Sequence, residues 1–415
     1  MQKIVQTKLK NLITTKCDSI DKDYPYNSIL YLDTGSIILN NILSLEELNI
    51  DNLPSRAKKI AKNEDIIFSL VRPEQKHYGY LESIPKNLIL STGFCIIRNQ
   101  SKILKTKFLY YFLTTPFIVD YLNQIAQTAT SAYPSIKPSD IEDLPITIPP
   151  FIEQEKVIKF LTTLDCKISL NNSIISKLEE MAKMIYEYWF LQFDFPNHEG
   201  KPYASSGGAM KYSEELGREI PIDWEAIEID KICKIYSGFA FKSAQYVKEG
   251  KYRLITIKNV QENGVLLEPA NFIDELPKKL PAYCLLEQGD ILMSLTGNVG
   301  RVGLMFDDMC LLNQRVAKIC PSNEEMRGLI YFLFKSTFVK SKMENMAGGT
   351  SQENLSPIET GKILIPYNKK IFRSFSKVAN QWVSMIVKKQ RENQKLAQLR
   401  DWLLPMLMNG QARIE

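Results

Sequence analysis

Histidine is almost missing from this chain: His77 and His198 are the only two in 415 residues. That scarcity tells against a histidine-rich metal centre and against a nucleophile activated by a His base. The seven cysteines (Cys17, Cys95, Cys166, Cys233, Cys284, Cys310 and Cys320) are odd in number and widely spaced. None pairs as C-x-x-C, so no zinc site is expected, and reduced, mostly buried thiols of a cytoplasmic protein are. No window approaches 18 uninterrupted apolar residues, so no membrane span is predicted. The first twenty residues scatter lysines among apolar residues, unlike a secretory signal.

Motifs for autonomous chemistry are absent too. There is no G-x-x-x-x-G-K-[ST] phosphate loop, so this chain is not expected to hydrolyse ATP. The cluster Gly297-Asn298-Val299-Gly300-Arg301-Val302-Gly303 lacks G-x-G-x-x-G spacing and reads as a turn after a strand. Ile148-Pro149-Pro150-Phe151 resembles the Asn/Asp-Pro-Pro-aromatic motif of amino-methyltransferases. Isoleucine offers the amine no acceptor, so the motif is chemically empty here. Asp165-Cys166-Lys167 has the D-x-K spacing of some nuclease sites but lies inside a strong helical pattern. An autonomous enzyme is not expected.

What the chain does have is an ordinary globular composition, 45% apolar and 24% charged, with a net charge of +5. Its length suggests two or three domains, and its mild basicity permits nucleic acid as a partner without demanding it. The informative feature is an internal repeat. Asp65-Ile66 and Ser69-Leu70 recur as Asp290-Ile291 and Ser294-Leu295; Tyr111-Phe112-Leu113 recurs as Tyr331-Phe332-Leu333; Ile148-Pro149 recurs as Ile365-Pro366. The offset drifts between about 217 and 225, as loop insertions between two copies of one fold would produce. Each copy starts with β-rich runs: residues 28–32, 65–71 and 88–98 in the first, 252–258, 290–296 and 311–320 in the second. An amphipathic helix follows, over 107–124 and 326–346, then a polar loop, a short strand ending in proline and a long helix.

The long helices are written plainly. No glycine or proline falls between Pro150 and Pro196, or between Pro366 and Pro405. Val157, Leu161, Leu164, Ile168, Asn171, Ile175, Leu178, Ala182, Ile185 and Trp189 alternate spacings of four and three, a heptad seam. Phe375, Val378, Trp382, Met385, Lys389, Glu392, Leu396, Leu399 and Leu403 do the same. Both seams turn polar near the middle, as a register-fixing position does. The two helices are expected to pair with each other, antiparallel, through Leu161, Leu164, Ile168, Ile175, Leu178, Ile185, Trp382, Met385, Leu396, Leu399 and Leu403. At about 1.5 Å per residue, about 39 residues would make a rod of about 58 Å. The Gly/Ser/Pro-rich stretch 194–208 reads as a flexible turn-back. Trp189 and Trp402 read as core or partner-docking residues in preference to base-stackers. Lys388-Lys389-Gln390-Arg391 reads as a solvated face, with phosphate contact the alternative.

Two similar heads on a rod suit recognition of two short, separated sites, and duplex DNA has the metric regularity for it. At this point the chain resembles a family, the specificity (S) subunit of type I restriction-modification enzymes. The residues that carry the resemblance are Gly289-Asp290-Ile291-Leu292-Met293-Ser294-Leu295-Thr296-Gly297-Asn298-Val299-Gly300, and Gly348-Gly349-Thr350-Ser351-Gln352-Glu353-Asn354-Leu355 through Ile365-Pro366. Pro149-Pro150 with Glu153-Gln154, and Phe193-Asp194-Phe195-Pro196 through Ser205-Ser206-Gly207-Gly208 to Arg218-Glu219-Ile220-Pro221 and Trp224, add to it. The first copy departs from the pattern at 71–78 and 128–134.

The resemblance implies an α+β fold: two similar mixed α/β target recognition domains separated by two long antiparallel helices forming a coiled coil. The domains would span 1–150 and 216–367, the helices 151–192 and 368–410, and the linker 193–215. Each domain would contact one half of a split site in double-stranded DNA. The helices would carry two methyltransferase (M) subunits, and restriction (R) subunits would join them. S-adenosylmethionine, ATP and Mg would belong to those partners, leaving this chain no cofactor and no catalysis. The alternatives are a stand-alone DNA methyltransferase or nuclease, or a coiled-coil scaffold without DNA reading.

Polar and cationic residues in turn-rich loops at strand ends are the candidate DNA contacts, because Arg reads guanine and Asn or Gln reads adenine. In the first copy these are Arg72, Lys76, His77, Tyr78, Ser131, Tyr133 and Lys137. In the second they are Lys242, Lys258, Asn259, Thr296, Asn298, Arg301, Thr350, Gln352 and Asn354. Gln314 and Arg315, in a strand-like run, are either structural or readers. Most contacts of this kind go to phosphates and position rather than specify.

Overall fold

Ile66–Ser69, Leu88–Ser91 and Ile291–Ser294 are buried at every position. Strands covered on both faces have no solvent side to alternate toward, which explains their unbroken apolar runs. A computed structural model describes residues 4–21, 23–128, 133–262, 264–348 and 354–414. The chain forms two units, Met1–Lys167 with Lys395–Glu415, and Ile168–Gln394. No helix among the described residues is long and apolar enough to cross a membrane.

In the first unit one four-stranded sheet runs in the order Glu46–Asn49, Ser28–Leu32, Leu88–Ser91, Ala57–Ile60. Its Ser28–Leu32 and Leu88–Ser91 strands are parallel. A second, antiparallel sheet runs Ile13–Thr14, Phe94–Asn99, Ile66–Ser69, Tyr78–Tyr80. Val5–Lys8 pairs antiparallel with Pro145–Ile148. The second unit repeats this strand for strand. Its first sheet is Asn271–Ile273, Tyr252–Ile255, Cys310–Leu312, Leu285–Leu286, again with the middle pair parallel. Its second is Cys233–Ser237, Val316–Pro321, Ile291–Ser294, Val302–Leu304, and Glu225–Glu228 pairs with Leu364–Tyr367. An identical order of pairings, including the parallel crossover, is the structural form of the sequence repeat.

Each repeat also keeps a buried ion pair. Asp65 receives Arg98 through two hydrogen bonds of 2.8 Å and the Lys62 amide at 2.8 Å. In the second unit Asp290 meets Lys318 Nζ at 2.6 Å and the Glu287 amide at 2.7 Å. A buried charge is tolerated when paired and hydrogen-bonded in this way.

Several expected elements are divided. The run 88–98 is two strands in different sheets, because the chain turns at Thr92-Gly93, where a Cβ on Gly93 would lie 2.8 Å from the Thr34 side chain. The run 311–320 likewise splits at 313–315. The expected helix over 107–124 is Thr106–Leu113 and Pro116–Thr128, interrupted before Pro116, whose ring blocks a continuous helix. Its counterpart is Arg327–Lys335 and Thr337–Ala347, divided at Ser336, which accepts from the Val339 amide as an N-cap.

The long helices are Phe151–Phe190 and Lys369–Met408. In the first unit Asp165 accepts from Tyr111 Oη at 2.8 Å and Arg400 Nη1 at 2.9 Å, so the D-x-K aspartate is engaged structurally. Leu161 packs there in one cluster with Leu404 and Leu407. In the second unit Tyr186 faces Phe375, and Phe190 faces Phe372 and Phe375. Buried Asn171 donates to Glu392 at 3.0 Å and Asn393 at 2.8 Å. Numbers rise along one helix as they fall along the other, so the pairing within each unit is antiparallel, and the polar residues of the two seams meet.

The second seam is met in part: Phe375 is buried, Trp382 and Leu403 pack against the two cores and Glu392 accepts from Asn171, but elsewhere the buried residues stand one position on. Ala379, Val383 and Ile386 are buried, whereas Met385 and Leu399 are 45% and 42% exposed. The seam continues through Asn393, which accepts from Asn171, and Arg400, which donates to Asp165, to buried Leu404 and Leu407. A reading that follows leucine misses it there, because polar and charged residues occupy its middle. Trp382 flanks it, against Phe332 and Phe375. Trp189 packs on Phe375 in the same cluster, while Trp402 is exposed.

The stretch 194–208 is packed rather than flexible. Phe195 stacks between Tyr203 and Trp224, with ring centroids 4.8 and 5.3 Å away, and the Asp194 carboxylate accepts from the Ser205 amide at 2.7 Å. Arg218 lies 4.7 Å above the Phe193 ring. Aromatic burial outweighs the local Gly/Ser flexibility.

Candidate nucleic-acid interface

The candidate residues of the second unit gather where Ile291–Ser294 ends. Ser294 closes the following loop on itself: its hydroxyl donates to the Asn298 carbonyl at 2.6 Å and accepts from the Arg301 amide at 3.0 Å. Its own amide reaches the Arg301 carbonyl at 2.9 Å. Gly297 and Gly300 sit at φ +71° and +75°, where a side chain would be strained. These glycines turn the chain and leave Thr296, Asn298 and Arg301 on the loop.

Two neighbouring segments join that loop. Thr296 bridges Asn354, and the Leu355 amide reaches the Leu295 carbonyl at 2.8 Å. On the other side the Leu295 amide reaches the Arg315 carbonyl at 3.0 Å, which sets exposed Gln314 and Arg315 beside it. Lys242 is exposed on a segment held by the Phe239–Asn313 bridge. Lys258 is exposed and its carbonyl accepts from Gln261 Nε2 at 2.7 Å. The Arg301 guanidinium donates to Gln261 Oε1 and, with the Asn298 amide oriented toward it, to the Asn298 side-chain oxygen at 2.8 Å. Nearby Glu262 has its carboxyl held below the usual range, first by its hydrogen bond from Lys340.

The first unit builds the same corner from other residues. The Ser69 amide reaches the His77 carbonyl at 2.9 Å, which places His77 where the second unit has Arg301. Val71 bridges Ser135 as Thr296 bridges Asn354. The Arg72 amide reaches the Pro134 carbonyl at 3.0 Å, and its guanidinium lies 5.6 Å over the Tyr133 ring. Arg72 and Lys76 take left-handed backbone, φ +49° and +57°, around the turn Pro73–Gln75. His77 Nδ1 contacts the Thr34 carbonyl. Lys137 is exposed just before Pro138–Glu142.

Two candidates are corrected. Tyr78 is buried, its ring 5.5 Å from Phe68, and burial pushes its phenol well above the ordinary range. It alternates onto the core face of its strand. Asn259 is fully buried: it accepts from the Thr256 amide and hydroxyl and donates to the Leu266 and Pro269 carbonyls, so its amide holds a turn. Ser131, Thr350 and Gln352 lie outside the described residues. Sequence reasoning passed over Gln261, whose only signal is a polar side chain on a two-residue strand.

The arrangement presents cations, amides and hydroxyls on loops at equivalent strand ends of both units, suited to hydrogen-bonding a polyanion and its base edges. Among the candidates on the Lys388-Lys389-Gln390-Arg391 face, Lys389 pairs with Glu392 at 2.9 Å and Arg391 with Asp308 at 2.7 Å, which occupies both in ion pairs.

Comparison with known proteins gives one consistent result. The chain is 25% identical over 436 residues to the Type I restriction enzyme HindI specificity subunit of Haemophilus influenzae, covering 93% of this chain and 95% of that protein. It is 26% identical to the Type I restriction enzyme MjaIX specificity subunit of Methanocaldococcus jannaschii, covering 81% of this chain and 76% of that one. The crystal structure of a type I restriction-modification system S subunit from M. genitalium matches 98% of this chain and 96% of its own with a TM-score of 0.54 at 18% identity, a likeness of fold. A model of the type I restriction modification DNA specificity domain matches twice, over residues 3–180 and 221–394. With the duplicated topology and its paired corner loops, these matches show that the chain belongs to the type I restriction-modification DNA specificity family.

Proposed function

We propose that this chain is the non-catalytic DNA-reading subunit of a type I restriction-modification complex, and that each unit takes one half of a bipartite duplex site. The observation that carries the reading is the same corner of loops, differently furnished, at the same strand end of both units. The recognition domains are assigned to 1–150 and 216–367, the spacer helices to 151–192 and 368–410, and the linker to 193–215. Arg72, Lys76, His77, Tyr133 and Lys137 serve one half-site. Lys242, Lys258, Thr296, Asn298, Arg301, Gln314, Arg315 and Asn354 serve the other.

The physical division of labour follows from donor chemistry. Lysines and backbone amides anchor phosphates, while Arg301 and the amide side chains have the planar geometry to read base edges. Two methyltransferase subunits on the spacer helices supply methyl transfer to adenine from S-adenosylmethionine. Restriction subunits supply ATP- and Mg-dependent work, and the assembly operates in the cytoplasm. Reconstituting the complex with and without this chain tests the reading. Site-selective methylation of a two-part sequence should appear only with it; methylation with unchanged selectivity in its absence would overturn the proposal.

A further inference from the structure

Each unit carries a short hairpin between the first two strands of its first sheet. In the first unit it is Ile37–Ile38 with Asn41–Ile42; in the second, Val260–Gln261 with Gly264–Val265. Both are pressed onto the strand that follows the corner loop, and a glycine permits the approach. A Cβ on Gly79 would lie 2.6 Å from Ile37 Cδ1, and one on Gly303 would lie 2.9 Å from the backbone of Gly264 and Val265. The inner residues, Ile37 and Val260, are equivalently buried.

The next residue outward differs in kind. In the first unit it is Ile38, which is exposed and carries no hydrogen-bonding side chain. In the second it is Gln261. Both ends of that amide are engaged: Nε2 donates to the Lys258 carbonyl at 2.7 Å, and Oε1 accepts from Arg301 Nη1. With its amide oriented toward the arginine, the Asn298 side-chain oxygen accepts from Nη2 at 2.8 Å and from Nη1 at 3.2 Å. The hairpin tip is itself held, because Glu262 binds Lys340 Nζ at 2.6 Å. A guanidinium has five donors in a fixed plane. Fixing it with neutral acceptors sets the plane and leaves Nε and part of Nη2 for a ligand, with the charge offset only in part by nearby Glu262, which Lys340 already pairs.

We infer that Gln261 is a positioning residue for Arg301, and that the hairpin it stands on determines base preference at the half-site read by the second unit. This rests on the reading that Arg301 contacts DNA. A neutral acceptor orients the arginine without neutralising it, as a carboxylate would, so orientation is gained at little cost to attraction for DNA. A pre-oriented arginine discriminates between bases; a free one finds any phosphate.

The test uses the whole chain assembled with its methyltransferase partner. Methylated adenines are mapped for the wild type, Gln261→Leu, Gln261→Glu and Arg301→Ala, with complex assembly confirming that each variant folds. Gln261→Leu should relax discrimination at the second unit's half-site by on the order of tenfold, leaving the other half unchanged. Gln261→Glu, which keeps the acceptor, should retain the preference while weakening affinity. An unaltered map for Gln261→Leu beside an altered one for Arg301→Ala would overturn the inference alone. Equal relaxation of both halves by Gln261→Leu would overturn it as well. An unaltered map for Arg301→Ala would instead remove the reading on which it rests.

Discussion

Ile386 and Met385 are adjacent on the second long helix, yet the structure assigns them opposite energetic roles. Ile386 is fully buried and Met385 is 45% exposed. Truncating a fully buried isoleucine to alanine costs about 2–5 kcal/mol from lost transfer energy plus a residual cavity. Alanine returns a few tenths through helix propensity. We expect Ile386→Ala to lose about 3 kcal/mol and Met385→Ala less than about 0.5 kcal/mol. With a urea dependence of about 2–3 kcal/mol per M, the first should lower the unfolding midpoint by about 1 M and the second hardly at all. Trp382 stands one turn away, half-buried between Phe332 and Phe375, so tryptophan fluorescence reports this segment. Equal losses, or a larger loss for Met385→Ala, would refute the seam register and with it the description of how the helices pack.

Arg301→Ala should weaken binding at one half-site alone, by about 1–3 kcal/mol if the arginine makes a bidentate base contact; uniform loss on every sequence, read by competition binding, would reduce it to a phosphate contact. Asp290→Ala strands the Lys318 ammonium in a largely buried place, and should cost about 3–5 kcal/mol in thermal unfolding, whereas replacing both partners by Leu and Met should cost far less. In the first unit burial pushes the phenols of Tyr78, Tyr110 and Tyr111 upward. Because the folded values are raised, their contribution is complete below about pH 10, the unfolded value, and is lost as pH rises through the folded ones. Absorbance titration should therefore show these tyrosines ionising only as the unit melts; ionisation at the ordinary pH with the unit intact would contradict their burial.

The parts of the fold that the sequence discloses are those where one physical signal dominates. The helices are legible because their glycine- and proline-free stretches leave no other use for heptad spacing. The duplication is legible because Asp65 and Asp290 open equivalent buried strands and each is held by a cation of the neighbouring strand, Arg98 in one unit and Lys318, from a different position, in the other. Where signals compete, the reading slips. Asn393 and Arg400 make contacts along the second seam, so following the exposed Met385 and Leu399 displaces it by one residue there. Thr92-Gly93 ends a strand between two apolar runs that look continuous, and Phe195 and Trp224 stiffen a stretch whose composition suggests a flexible linker. At the interface, loop position is legible but burial is not. Tyr78 and Asn259 are polar and close to the right turns, yet one faces the core and the other satisfies four backbone and hydroxyl groups. Gln261 is invisible until the hairpin brings it to Arg301.

The central claim is that each unit reads its own half of one split site. Its most direct test is to map methylated adenines in cells carrying the complete system, with the loop 71–78 of the first unit exchanged for the equivalent loop of a relative. The account predicts that one half of the methylated sequence changes while the other half stays as it was; a change in both halves, or in neither, would contradict it.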